Sequence, residues 1–162
     1  MSASAAAQPA GAPAATLYLH PGALAASARP LAVSTILGSC VGVCLFDAER
    51  GVGGMNHFLL PGSAGSARPT PRFGDVAMER LLAEVLQAGA RRRRLAARVY
   101  GGACVLAAFR GPGDHLGDRN VSTALRFLED ERIPVLALDT GGRCGRRVVF
   151  HTWDGAAEAR RI

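Results

Sequence analysis

Two thiols, an imidazole and three hydroxyl side chains lie in the stretch STILGSCVGVCLFDAERGVGGMNHFLLP, Ser34 to Pro61. Cys40 occupies a Gly-Ser-Cys turn between two apolar β-like runs, and His57 follows in a third run, after Gly53-Gly54. A sulfur at a strand end with an imidazole on a neighbouring strand is the minimum equipment for cysteine-based acyl chemistry. The sulfur attacks a carbonyl carbon and the ring carries the proton. Gly38 permits a tight bend and close approach of a substrate, and the peptide N–H groups of Ser39 and Cys40 can face a developing oxyanion. A third group should hold the imidazole in its productive tautomer. Ser34 and Thr35, one strand before the bend, both offer a hydroxyl, although either is also an ordinary β residue.

Each of these residues has a plainer role to set against the chemical one. A cysteine in an apolar run is ordinarily a small packing hydrophobe. Cys40 is distinguished by its bend, from which a side chain can project at the sheet edge; Cys44 has no such turn and is assigned to the core. Four residues separate the two, but no second pair completes a zinc set, so no metal and no cofactor is expected. His57 gains weight because strands joined by a short turn can bring it opposite the end of the Cys40 strand. His20, His115 and His151 have weaker claims, the last as a surface or packing residue.

The elements that must position these groups follow from periodicity and punctuation. Leu17–Leu19 reads as a short strand ended by His20-Pro21-Gly22, with a Pro-containing linker after it. Leu31–Leu37, Val41–Asp47 and Val52–Leu60 read as three strands separated by turn residues. Val41, Val43, Leu45 and Asp47 share one face of the second, with Gly42, Cys44 and Phe46 on the other, so that strand is expected to be covered on both sides. Pro61–Arg72 is a Gly/Ser/Pro-rich loop. A helix begins at Asp75, read as its N-cap, with Met78, Leu81, Leu82, Val85 and Leu86 on one face. Leu95–Tyr100 and Cys104–Phe109 read as strands about a Gly101-Gly102-Ala103 bend. A second helix spans 120–131, with Val121, Ala124, Leu125 and Leu128 as its stripe. Val135–Asp139, Arg147–His151 and 156–162 close the chain. Without regular βα alternation the fold class is α+β, a layered mixed β-sheet sandwich flanked by two amphipathic helices.

Length and composition bound the rest. The 162 residues are most simply one domain, spanning 16–162 behind an Ala/Pro-rich leader over 1–15 that has nothing to bury. The four cysteines show no paired spacing, no secretory pattern precedes them, and no apolar run approaches a membrane span. A reducing cytoplasmic setting with free thiols is expected. The net charge of +6 is carried by arginine alone, in a chain without lysine. Such a balance favours encounter with acidic partners. Arg91–Arg94 follows a helix end, where arginines complement the helix dipole as a solvated turn, so nucleic acid is not the expected partner.

The same segment resembles the signature of the CheD family, bacterial chemoreceptor glutamine deamidases. LGSCV at Leu37–Val41 and GGMNHFLLP at Gly53–Pro61 match its cysteine turn and histidine strand. RFGDVAMERLL at Arg72–Leu82, YGGACVL at Tyr100–Leu106, LGDRN at Leu116–Asn120 and the segment from Asp139 to Ile162 are similar to further motifs of the family. The resemblance implies a fold of the CheD or cytotoxic necrotizing factor cysteine hydrolase type. It also implies a Cys40 nucleophile, His57 as general acid and base, and Gly38 and Ser39 at the substrate. The family's third residue, a threonine six positions before the cysteine, falls on Ser34 by a gap-free count, with Thr35 one step nearer; Ser34 is favoured. The implied reaction is deamidation of receptor glutamine to glutamate through a thioester, with glutamyl methyl ester hydrolysis open to the same intermediate. The implied partners are chemoreceptor cytoplasmic domains and a CheC-type phosphatase, met by a monomer that does not insert in the membrane. Arg68, Arg72 and Arg119 are expected to steer the acidic receptor. A non-catalytic adaptor and a different cysteine hydrolase on the same fold are the competing readings.

Overall fold

The first apolar run begins earlier than its pattern indicates: β1 (Ala15–Tyr18) lies parallel to β3 (Leu31–Leu37). The structure is a computed structural model describing residues 14–111 and 113–162. The leader expected over 1–15 therefore lies outside the described residues up to its last two positions. β2 (Leu24–Ser27), read from sequence as linker, pairs with β5 (Val52–Asn56), since its small residues can lie against Gly53 and Gly54. β4 (Val41–Asp47), β6 (Ala96–Gly101), β7 (Val135–Thr140), β8 (Arg146–His151) and β9 (Ala157–Arg161) complete the strands.

They form two sheets, one ordered β1-β3-β8-β9 and the other β2-β5-β4-β6-β7. Each contains one parallel pairing among antiparallel ones, β1 with β3 and β6 with β7, so both are mixed. The sheets face each other across Val33, Leu37, Cys44, Phe46, Met55 and Phe150. The outer face of the five-stranded sheet is covered by α1 (Gly74–Gln87) and α2 (Leu116–Asp130), through Val41, Val43, Leu45, Met78, Leu81 and Leu128. β4 is buried at every position, one face in each core. The α+β layered sandwich expected from the sequence is the observed architecture, with both helices on one side.

Three local expectations are corrected. Asp75 does not cap α1: Phe73 holds that position, and the Asp75 carboxylate accepts hydrogen bonds from the Ser63 N–H and hydroxyl and from the Val76 N–H. Cys104–Phe109 is not a strand but a loop ending in a 3-10 turn (Ala107–Phe109), with Val105, Leu106 and Phe109 exposed. Its unbroken apolar run resembles a buried strand's, but it joins neither sheet. α2 begins four residues before Asn120, capped by the His115 ring, which accepts from the Asp118 N–H.

Candidate active site

The β4–β5 ladder fixes which side chains share a face. Cys44 lies opposite Met55, and the register carries on through a bridge between Val41 and Phe58 just past the end of β5. Continued one step each way, it sets His57 opposite Gly42 and Cys40 opposite Leu59. Cys40, Gly42, Cys44, Met55 and His57 therefore point into the space between the sheets. Cys40 and His57 are diagonal neighbours, a relation that long and ring-bearing side chains span. Gly42 leaves the position across from the ring without a side chain.

The opposing sheet supplies the third group. Thr35 is buried on the inner face of β3 together with Val33 and Leu37, and its Oγ1 lies 2.8 Å from His57 Nδ1. The same Oγ1 donates to the Leu19 carbonyl at 2.7 Å. A hydroxyl has one proton. With that proton on Leu19, Oγ1 must accept from Nδ1–H, which puts the imidazole lone pair on Nε2. Nε2 is buried without a hydrogen-bond partner, so it is the ring atom left to exchange a proton. Ser34, favoured from the sequence, lies on the opposite face of β3 and does not meet the ring. The strand's alternation held the signal, since Thr35 shares its face with Val33 and Leu37. It was masked because Ile36, beside Ser34, is equally apolar although it lies exposed.

Burial sets the electrostatics. His57 is 2% exposed, and desolvation lowers its pKa to about 4, opposed by the backbone contact with Leu19. The ring is neutral at physiological pH. Burial also pushes the Cys40 thiol up, while its own backbone N–H pulls the other way. Burial thus leaves a neutral thiol beside a neutral imidazole. Such a pair is suited to proton transfer at the moment a thiol attacks, with Nε2 available as a base.

Cys40 is half-buried and its turn abuts a cavity of about 630 Å³ lined by Ser39, Ala103, Cys104, Leu106, Phe109 and Arg119, among others. The bend spans Gly38 to Cys40, yet Gly38 is not held there by a conformation reserved for glycine. Its φ is not left-handed, and a Cβ there would make an ordinary 3.5 Å contact with Val105. Gly101 and Gly102 hold positive φ, and Gly102 N–H bonds the Cys40 carbonyl. A Cβ on Gly101 would collide with that carbonyl. Cys44 is fully buried, as expected of a core residue. His20 stacks edge-on against Tyr18 and His151 stacks on Trp153, and neither lines the cavity, whereas His115 both caps α2 and lines the cavity wall. Arg119 lies at the cavity, and Arg68 and Arg72 are exposed on the preceding loop.

A family model described as CheD chemotactic sensory transduction matches residues 59–161, well over half of the chain. The chain belongs to the CheD family. Among its relatives, a protein of Anaeromyxobacter dehalogenans named probable chemoreceptor glutamine deamidase CheD 1 is 52% identical over 154 residues, covering 95% of this chain and 89% of the relative. Proteins named probable chemoreceptor glutamine deamidase CheD from Trichlorobacter lovleyi and Rhodospirillum rubrum are 46% and 43% identical, covering 90% of this chain and 89% and 81% of themselves. The family model begins just after His57, whereas the first alignment is long enough to include the Cys40–His57 segment of this CheD chain. No helix among the described residues is long and apolar enough to cross a membrane.

Proposed function

We propose that this CheD-family chain hydrolyses the side-chain amide of glutamine residues on chemoreceptors, giving glutamate and ammonia. The observation that carries the reading is the Thr35–His57 hydrogen bond, which leaves Nε2 unpartnered on the face that Cys40 shares. Cys40 Sγ attacks the amide carbon as its proton passes to Nε2. The Ser39 and Cys40 N–H groups receive the oxyanion; one such donor is worth roughly 3–4 kcal/mol. The imidazolium returns its proton to the leaving nitrogen, ammonia departs, and a thioester remains. Water then gives a proton to Nε2 and its oxygen adds to the thioester. The sulfur leaves, recovers the proton, and glutamate is released. A glutamyl methyl ester enters the same thioester with methanol as leaving group.

Thr35 takes the orienting role that the gap-free count assigned to Ser34. Receptor cytoplasmic helices are rich in acidic residues, and Arg119 at the cavity is suited to steer them. Retention of both Cys40 and His57 favours catalysis over a purely adaptor role toward receptors or a CheC-type phosphatase, which needs neither. The test is incubation with a receptor cytoplasmic fragment, scoring glutamine-to-glutamate conversion by mass spectrometry with Cys40→Ala as control. Conversion that requires Cys40 supports the reading. Binding without conversion replaces it with the adaptor.

A further inference from the structure

We propose that Asn120 is a positioning residue that aims the oxyanion-binding N–H groups of the Cys40 turn. The proposal rests on the hydrolase reading and adds to it a part outside the Cys40, His57 and Thr35 constellation.

Asn120 is fully buried on the first turns of α2, a helix that otherwise packs with apolar side chains. Its carboxamide nitrogen donates to the Ser39 carbonyl at 3.0 Å and to the Leu59 carbonyl at 2.9 Å. These carbonyls belong to the residue before Cys40 and to the residue opposite it. The β4–β5 register explains why they need a partner. Val41 and Phe58 exchange both backbone hydrogen bonds, at 3.1 and 3.0 Å. The next rung outward would join Ser39 to Leu60. That rung is absent: the Leu60 N–H goes to the Arg72 carbonyl, and the Leu60 carbonyl accepts from Gly74 N–H. The strands part here, and Asn120 enters the gap and takes the Ser39 carbonyl in place of Leu60.

Two consequences follow for the turn. The Ser39 N–H loses its ladder acceptor, and among the described groups nothing accepts from it or from the Cys40 N–H. Moreover, a trans peptide is planar, with C=O and N–H antiparallel. Holding the Ser39 carbonyl toward α2 therefore holds the Cys40 N–H in the opposite direction, away from the helix.

The orphaned Asn120 Oδ1 points the same way. Reversing the carboxamide would set its oxygen against two carbonyl oxygens, so the orientation is forced and the oxygen is left buried without a donor. A group kept at a cost to stability calls for a functional explanation. Gly102 and Gly117 make the reach possible, because a Cβ on Gly117 would strike the Gly102 carbonyl and lift α2 from the sheet.

The test compares wild type with Asn120→Leu, close in volume but without donors, and Asn120→Ser, which keeps one donor. All values are taken per folded molecule, counted from the folded fraction in the circular-dichroism melting curve of each variant. Three readouts are compared: kcat and KM on receptor fragment, affinity for a glutamine-peptide aldehyde, and the pH profile of iodoacetamide alkylation. The aldehyde's adduct with Cys40 places an oxygen where the oxyanion forms, whereas alkylation needs no oxyanion donor. Asn120→Leu is expected to lower kcat about 100-fold or more, with KM within about threefold, aldehyde affinity falling in parallel, and alkylation unchanged; Asn120→Ser falls between. Unchanged kcat in either variant, a kcat loss without loss of aldehyde affinity, or a parallel collapse of alkylation overturns the positioning role. Wild type that is alkylated yet leaves receptor glutamines unconverted sinks the deamidase reading instead, so the two failures are distinguishable.

Discussion

At the residue scale, the site depends on one proton. Thr35 gives its hydroxyl hydrogen to Leu19 and so must accept from His57, which fixes the tautomer. Thr35→Val keeps the shape and removes the acceptor. It leaves Nδ1–H and the Leu19 carbonyl unsatisfied, a loss of about 1–3 kcal/mol for a buried group. We expect kcat to fall 10-fold or more, while Thr35→Ser retains most activity and Ser34→Ala stays near wild type. Steady-state kinetics on receptor fragment separates Thr35 from Ser34, and a larger loss for Ser34→Ala would reverse the assignment. The neutral thiol–imidazole pair makes a second prediction. Because burial raises the Cys40 pKa, its alkylation rate should keep rising above the ordinary thiol range. A plateau near neutrality in an iodoacetamide pH series would mean a preformed ion pair, contrary to this account.

At the element scale, the Cys40 turn and its partners are held from three directions. The segment just past β5 brings His57, β3 brings Thr35, and the Gly101-Gly102 corner at the end of β6 binds the Cys40 carbonyl while seating α2. That seat tolerates no side chain at Gly117. Gly117→Ala forces the helix outward, an overpacking penalty of roughly 1–3 kcal/mol. The expected result is a lower melting temperature together with a fall in kcat larger than the change in KM, checked by thermal denaturation and kinetics. A lowered melting temperature with kcat intact would show that the α2 seat supports the fold but not the turn. The motif around Asn120 was visible in the sequence as a resemblance, but its role was not, because the missing Ser39–Leu60 rung exists only once the strands part.

At the scale of the whole molecule, burying His57 between two sheets ties stability to pH. The folded ring titrates near 4 and an unfolded one near 6.5. Between these values the unfolded chain binds the extra proton, so stability is fully present above about pH 6.5 and is lost as pH falls toward 4. The full difference is roughly 3 kcal/mol. Urea denaturation at pH 7 and pH 4.5 should show the loss, and His57→Gln should flatten that part of the profile; an unchanged slope in the variant would assign the effect to other groups. The net charge of +6 acts at longer range. Arg119→Glu should lower kcat/KM for receptor at low salt, with the difference shrinking as salt screens it; a salt-independent effect would point to a direct contact.

Much of this molecule was legible before folding. The two-faced apolar pattern of β4 required cover on both sides, and the Gly-Ser-Cys turn with a histidine two strands on marked the chemistry. β3 and β4 were bounded correctly because alternation and turn residues are local properties. What the chain could not state in one dimension was which hydroxyl faces the ring, whether 104–109 finds a ladder, and what Asn120 holds. Those answers depend on which faces meet when one sheet is laid on another and a helix docks on glycines, a matter of contacts between segments far apart in the chain. Burial itself, which raises the pKa of the Cys40 thiol, is likewise a property of the assembled layers.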